Sequence, residues 1–141
     1  DEQWYINTNI TYAFDGTNAT GSYGDATAKA HADANATDDD GVDLDPVVVI
    51  EGLKTKLIRT VKLQAEGELN RTDWYITRKA EKNTAIPSAI TTHRDAVRSK
   101  QAAMETAITN ASDTPALETL YTYTRQEDGS VTRPLGELPT L

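Results

Sequence analysis

A change of character at Asp45-Pro46 constrains this 141-residue chain more than any single motif. Before it, residues 1–45 carry ten acids against one base, Lys29, for a net charge of −9. After it, residues 46–141 carry twelve acids and thirteen bases, for a net +1. The first stretch is built mainly of Gly, Ala, Asn, Thr, Ser and Asp, with few large side chains to bury. Ordering such a stretch without a covering partner costs more conformational entropy than burial returns. The second stretch reads as helix. The expected organisation is therefore an acidic β-arm and Gly/Ala/Asp-rich loop over residues 1–45, a helical hairpin with a short third helix over 46–121, and a C-terminal strand or tail over 122–141. The fold class is α+β, with an N-terminal β-arm or small sheet, a central antiparallel helical hairpin and a C-terminal extension.

Within the arm, Trp4, Ile6, Ile10, Tyr12 and Phe14 fall on even positions, with Asn7, Asn9 and Thr11 between them. A period of two places the apolar set on one face of a half-buried strand, and Asp15-Gly16 ends it as a turn signal. All five are expected to face one way and to be covered. A second strand is expected through Ala26–Ala34, where Ala alternates with Thr27, Lys29, His31 and Asp33.

From Asp45-Pro46, a cap followed by a first-turn proline predicts a helix start. Ile50, Leu53, Leu57, Val61, Ala65, Leu69, Ile76 and Ala80 then recur at spacings of three, four and seven, a helical stripe. Gly67 weakens that stripe and predicts a bend or break near it. Pro87 opens a second helix with Ile90, Val97, Gln101, Met104 and Ile108 along one side. Thr114-Pro115 starts a short third helix through Leu117 and Leu120, and Asp128-Gly129 predicts a turn in the last segment.

Several kinds of chemistry have no apparatus in this sequence. There is no cysteine, hence no disulfide and no thiolate ligand. His31 and His93 are the only histidines, and neither sits at metal-binding or catalytic spacing. Nucleophile-elbow, zinc-protease and phosphate-loop signatures are absent. With Gly41 in the sixth position of an EF-hand loop, Ala36 and Val47 take the first and twelfth, so that register fails. The Asp38–Asp45 run reads as a solvated loop, with a looser carboxylate cation site as the lesser reading. No catalytic residue, metal ligand or cofactor is expected. A −9 arm is repelled by phosphate backbones and the body has no basic excess, so no nucleic-acid partner is expected. No apolar run approaches the roughly 20 residues that cross a bilayer, and no signal-peptide pattern opens the sequence, so no membrane partner is expected.

The segment Arg71-Thr72-Asp73-Trp74-Tyr75, followed by Arg78, Glu81, Ile86-Pro87, Arg94 and Arg98, resembles the phage tail-assembly chaperone and tail-fibre-assembly domains. The resemblance runs from Leu57 to Arg98, under a third of the chain, with His93 where that family usually carries Tyr. It implies a helical protein–protein packing module: a tail, fibre or baseplate component, or a transient assembly chaperone. It also implies location in the virion tail region, or in host cytoplasm during assembly, with other tail or virion proteins as partners.

The residues themselves are those of a packing module. Trp74 is the largest apolar body on the first helix and is expected to be buried with Leu53, Leu57 and Val61, either within the fold between the hairpin helices or against another copy. Arg78, one turn on, is placed to cover an aromatic face or meet Asp73. Pro87 fixes the turn into the second helix. Arg94 and Arg98 share a face and reach back to Asp73, Glu81 or a partner chain. The alternative of a polysaccharide hydrolase ranks last, because no acid–base pair of carboxylates is placed. Thin apolar content, much of it Ala, and a lone strand of marginal stability predict a homo-oligomer or a member of a larger assembly.

Overall fold

Turn chemistry organises the first part of the chain. In the computed structural model, which describes residues 1–141, β1 (Tyr5–Ile6) pairs antiparallel with β4 (Thr27–Ala28). Nested between them, β2 (Ile10–Phe14) pairs antiparallel with β3 (Ala19–Tyr23), in the register Ile10↔Tyr23, Tyr12↔Gly21 and Phe14↔Ala19. The Asp15 carboxylate accepts from the backbone N–H groups of Thr17 (2.9 Å) and Asn18 (2.7 Å). Gly16 takes φ +94°, a left-handed conformation that favours glycine. The tight Asp-Gly turn fixes the partner of β2 within a few residues of the tip, at Ala19–Tyr23. Of the second strand expected through Ala26–Ala34 the structure keeps Thr27–Ala28, paired with β1, while Ala34 begins β5.

β5 (Ala34–Asn35) pairs with β6 (Val49–Ile50) across the acidic loop. The expected helix start at Asp45-Pro46 is corrected here. Val47, Val48, Val49 and Ile50 are consecutive β-branched residues, which favour extended backbone over helix. The helix begins instead at Leu53, whose N–H donates to the Ala30 carbonyl at 2.8 Å. Gly52 lies so close to the backbone of His31 and Ala32 that a Cβ there has no room.

Four helices follow: α1 (Leu53–Asn70), α2 (Asp73–Lys82), α3 (Ser88–Asn110) and α4 (Thr114–Tyr121). α1 continues through Gly67, and the break falls a turn later, at Arg71-Thr72. α2 ends on Asn83 in the left-handed region (φ 54°), with its N–H bonded to the Lys79 carbonyl. Pro87 precedes α3 as expected, and Asp113 caps α4 by accepting from Ala116 N at 2.8 Å. α1 and α3 are antiparallel. Lys54 Nζ at the start of α1 donates to the Thr109 carbonyl near the end of α3, Lys62 pairs with Glu105 at 3.6 Å, and Arg94 near the start of α3 reaches Leu69 near the end of α1.

The two helical stripes form the core. Leu57, Val61 and Ala65 of α1, Ile90, Val97, Met104 and Ile108 of α3, and Leu117 of α4 are buried. The outer members of the first stripe, Ile50 and Ile76, are exposed. After α4, β7 (Thr124–Arg125) and β8 (Val131–Thr132) form a hairpin around Asp128-Gly129. The chain then returns to α4: Leu135 is buried and its N–H donates to the Leu120 carbonyl at 3.0 Å. The protein is mixed α+β and divides into two compact units, Asp1–Leu53 and Lys54–Leu141. No helix is long and apolar enough to cross a membrane.

Candidate protein-interaction surfaces

The expected interaction residues fall in both units, and each group has its own geometry. In the helical unit the organising side chain is Arg94. Its Nη1 lies 2.8 Å from the Leu69 carbonyl oxygen, 2.7 Å from Thr72 Oγ1 and 2.8 Å from Asp73 Oδ1. One Nη nitrogen carries two hydrogens, so three acceptors share them and one bond is bifurcated. Thr72, itself buried, donates its hydroxyl to the same Leu69 carbonyl at 2.9 Å. The last carbonyls of a helix lack intrahelical partners, and this arrangement supplies them. It also places the α1–α2 break where it is.

Of the two sites expected for Trp74, the one between the helices is corrected: the indole is 51% exposed, on the outward side of α2. Its ring lies 3.8 Å, centroid to centroid, from that of Tyr75, and the Arg78 guanidinium sits 4.6 Å above Trp74 and 5.4 Å from Tyr75. Arg78 therefore covers an aromatic face and makes no ion pair with Asp73, which Arg94 holds instead. α2 is short, so one face of it cannot serve both the Thr72–Asp73 junction and a buried indole. Arg98 does not reach back either. It pairs with Asp95 on its own helix at 3.2 Å and borders an open groove of about 570 Å³ along α3, lined by Gln101, Glu105 and Thr109. Pro87 is exposed at the N-terminus of α3, with φ −56° and ψ 138°. His93 is buried, and its Nε2 has no hydrogen-bond partner.

In the N-terminal unit only one of the five alternating residues is buried, Trp4. Ile6, Ile10, Tyr12 and Phe14 are exposed, the last two at 77% and 71%. Nothing in the chain itself covers these four, so the expected cover is left to a partner. Every residue of β2 and β3 is exposed, because this two-stranded ribbon has nothing from its own unit packed on it. Cross-strand pairing puts Ile10 beside Tyr23, and Tyr12 beside Gly21, on one face. A Cβ on Gly21 would stand 3.1 Å from both Ile10 Cγ2 and Tyr12 Cε1, so both side chains lean across the glycine and flatten that face. The other face carries Thr11, Ala13, Thr20 and Ser22, with Thr11 Oγ1 bonded to the Ser22 carbonyl at 3.2 Å.

Two of the five carboxylates of the acidic loop are engaged locally. Asp38 Oδ1 accepts from the N–H groups of Asp40 (3.0 Å) and Val42 (2.9 Å), and Asp43 Oδ2 accepts from Asn35 Nδ2 at 2.7 Å. No three His, Asp or Glu side chains converge there or elsewhere.

Sequence reasoning missed Tyr23 and Gly21, and gave Thr72 no role of its own within the motif that contains it. Reflecting the Ile10–Phe14 alternation about Asp15-Gly16 finds the first two. Thr72-Asp73 as a helix-start dipeptide locates the third. Compared with family models, curated proteins and solved structures, the chain matches none.

Proposed function

We propose that this chain is a non-enzymatic structural protein of a tailed bacteriophage, a tail, fibre or baseplate component that works by packing against other virion proteins. The observation that carries the reading is the uncovered apolar face of the β2–β3 ribbon, where Ile10, Tyr12, Phe14 and Tyr23 all stand exposed. Isolated two-stranded ribbons are marginal in water, and contiguous apolar faces mark interaction sites. The segment that resembles tail-assembly domains supports the same reading. In it Thr72, Asp73 and Arg94 hold a helix junction together, while exposed Trp74 and half-buried Tyr75 and Arg78 form a cluster of the residue types that dominate binding hot spots. Location in the virion tail, with host cytoplasm as the site of assembly, follows from this reading.

The test is quantitative mass spectrometry of purified particles of the phage that encodes the chain. A fixed copy number relative to the other tail proteins is the expected result. Recovery only from infected cells, bound to a tail protein and missing from finished particles, would make it a transient assembly chaperone. Absence from both would overturn the reading.

A further inference from the structure

We infer that the occupant of the β2–β3 apolar face is the same face of a second copy of this chain, the two ribbons packing face to face. This deepens the reading of the ribbon as a docking surface and is independent of the assignment to a virion.

Three observations select a second copy. The first is area. The exposed parts of Ile10, Tyr12, Phe14 and Tyr23 amount to roughly 600 Å², or about 1,200 Å² over two copies, the lower edge of a standard stable interface. The second is charge. The N-terminal arm carries −9, yet residues 10–23 hold a single charged side chain, Asp15, at the tip. The carboxylate of Asp15 is already engaged by the N–H groups of Thr17 and Asn18. A basic partner of another kind would find almost no counter-charge around the face, whereas a second copy meets no like charge across it. The third is shape. Gly21 has no side chain to stand between Ile10 and Tyr12, which close over it, and a two-fold axis brings the same patch of each copy together. Two ribbons stacked about 10 Å apart make a two-layer, four-stranded unit in which each covers the other.

The remaining acids of the two arms repel one another, so this association has a distinctive salt response. It strengthens as salt screens that repulsion, opposite to the docking of an acidic arm on a basic neighbour.

The experiment is analytical ultracentrifugation of the full chain across concentration at low and high salt, with face-specific variants. The expected result is a dimer or higher assembly at micromolar concentration, tighter at high salt. Phe14→Asp should weaken it at least tenfold while leaving the helical circular dichroism unchanged, and Thr11→Asp, on the opposite face, should not weaken it. Because the native sequence has no cysteine, single cysteines report the face directly. On copper-phenanthroline oxidation, at least one of Ile10→Cys, Tyr12→Cys and Phe14→Cys should give a covalent dimer, and neither Thr11→Cys nor Ala13→Cys should. A chain that stays monomeric up to on the order of 100 µM at high salt overturns the inference. So does cross-linking equally efficient from both faces, or a face protected only by a different protein. Virion content does not bear on these outcomes, and self-association does not bear on virion content, so the two readings fail separately.

Discussion

Arg94 Nη1 lies 2.8 Å from Asp73 Oδ1, an ion pair between α3 and the first residue of α2 in which the guanidinium is buried and the carboxylate is half exposed. That asymmetry decides what each partner contributes. Arg94→Ala removes three hydrogen bonds at a buried junction and is expected to destabilise the chain by about 2–4 kcal/mol in urea unfolding. Asp73→Ala removes one solvent-screened partner and is expected to cost about 1 kcal/mol or less. Arg94→Lys should recover only part of the loss, because an ammonium lacks the planar guanidinium's reach to several acceptors. Equal losses for Arg94→Ala and Asp73→Ala would mean that the ion pair, and not the cap on Leu69 and Thr72, carries the junction.

The two tryptophans sit in opposite environments, Trp4 at 3% exposure and Trp74 at 51%. Acrylamide should quench the Trp74 fluorescence of the Trp4→Phe chain several-fold more strongly than the Trp4 fluorescence of the Trp74→Phe chain. Trp74→Ala should change stability by less than about 1 kcal/mol, as surface substitutions do. A loss of several kcal/mol on thermal melting would return the indole to the core.

Leu135 closes the C-terminal segment onto α4 through its buried side chain and its N–H bond to Leu120. Leu135→Ala is expected to cost about 2–4 kcal/mol and to speed proteolytic cleavage after residue 121. Val131→Ala, at an exposed position of the β7–β8 hairpin, should be near neutral by the same assays.

Two turn aspartates share one titration behaviour. Asp15 is held below the usual carboxylate pKa of 3.8 by N–H bonds from Asn18 and Thr17, and Asp128 by the hydroxyl and N–H of Ser130. A depressed folded-state pKa adds stability above the unfolded value and loses it as pH falls through the folded one. Both turns should therefore stay intact at pH 4 and loosen only well below it. In an NMR titration, the Thr17, Asn18 and Ser130 amide shifts should move with midpoints below 3.8. Midpoints at or above that value would show that these bonds do not form in solution.

Local rules made much of the fold legible. The Ile10–Phe14 alternation is a strand, Asp15-Gly16 and Asp128-Gly129 are turns, and the stripes through Leu57–Ala65 and Ile90–Ile108 face the core. Each depends on residues a few positions apart, where a period or a dihedral preference acts directly. The helix start was misplaced because the cap and proline at Asp45-Pro46 point to helix, while the four β-branched residues that follow favour strand.

The sequence by itself determined the elements, their turns and the uneven charge. The tertiary structure decided which apolar residues are covered and which bonds join the elements. Burial depends on where a partner surface arrives, and that surface comes from distant parts of the chain: Thr109 meets Lys54, and Arg94 meets Leu69. No periodicity within one helix specifies that Arg94 takes the inner position at the α1–α2 junction. With that position filled by a buried guanidinium satisfying three acceptors, Trp74, the residue after Asp73, lies outside, and its ring stacks on Tyr75 and Arg78 instead of the core. The same physics leaves Tyr12 and Phe14 exposed, since alternation gathers apolar side chains on one face but supplies no second layer to cover them.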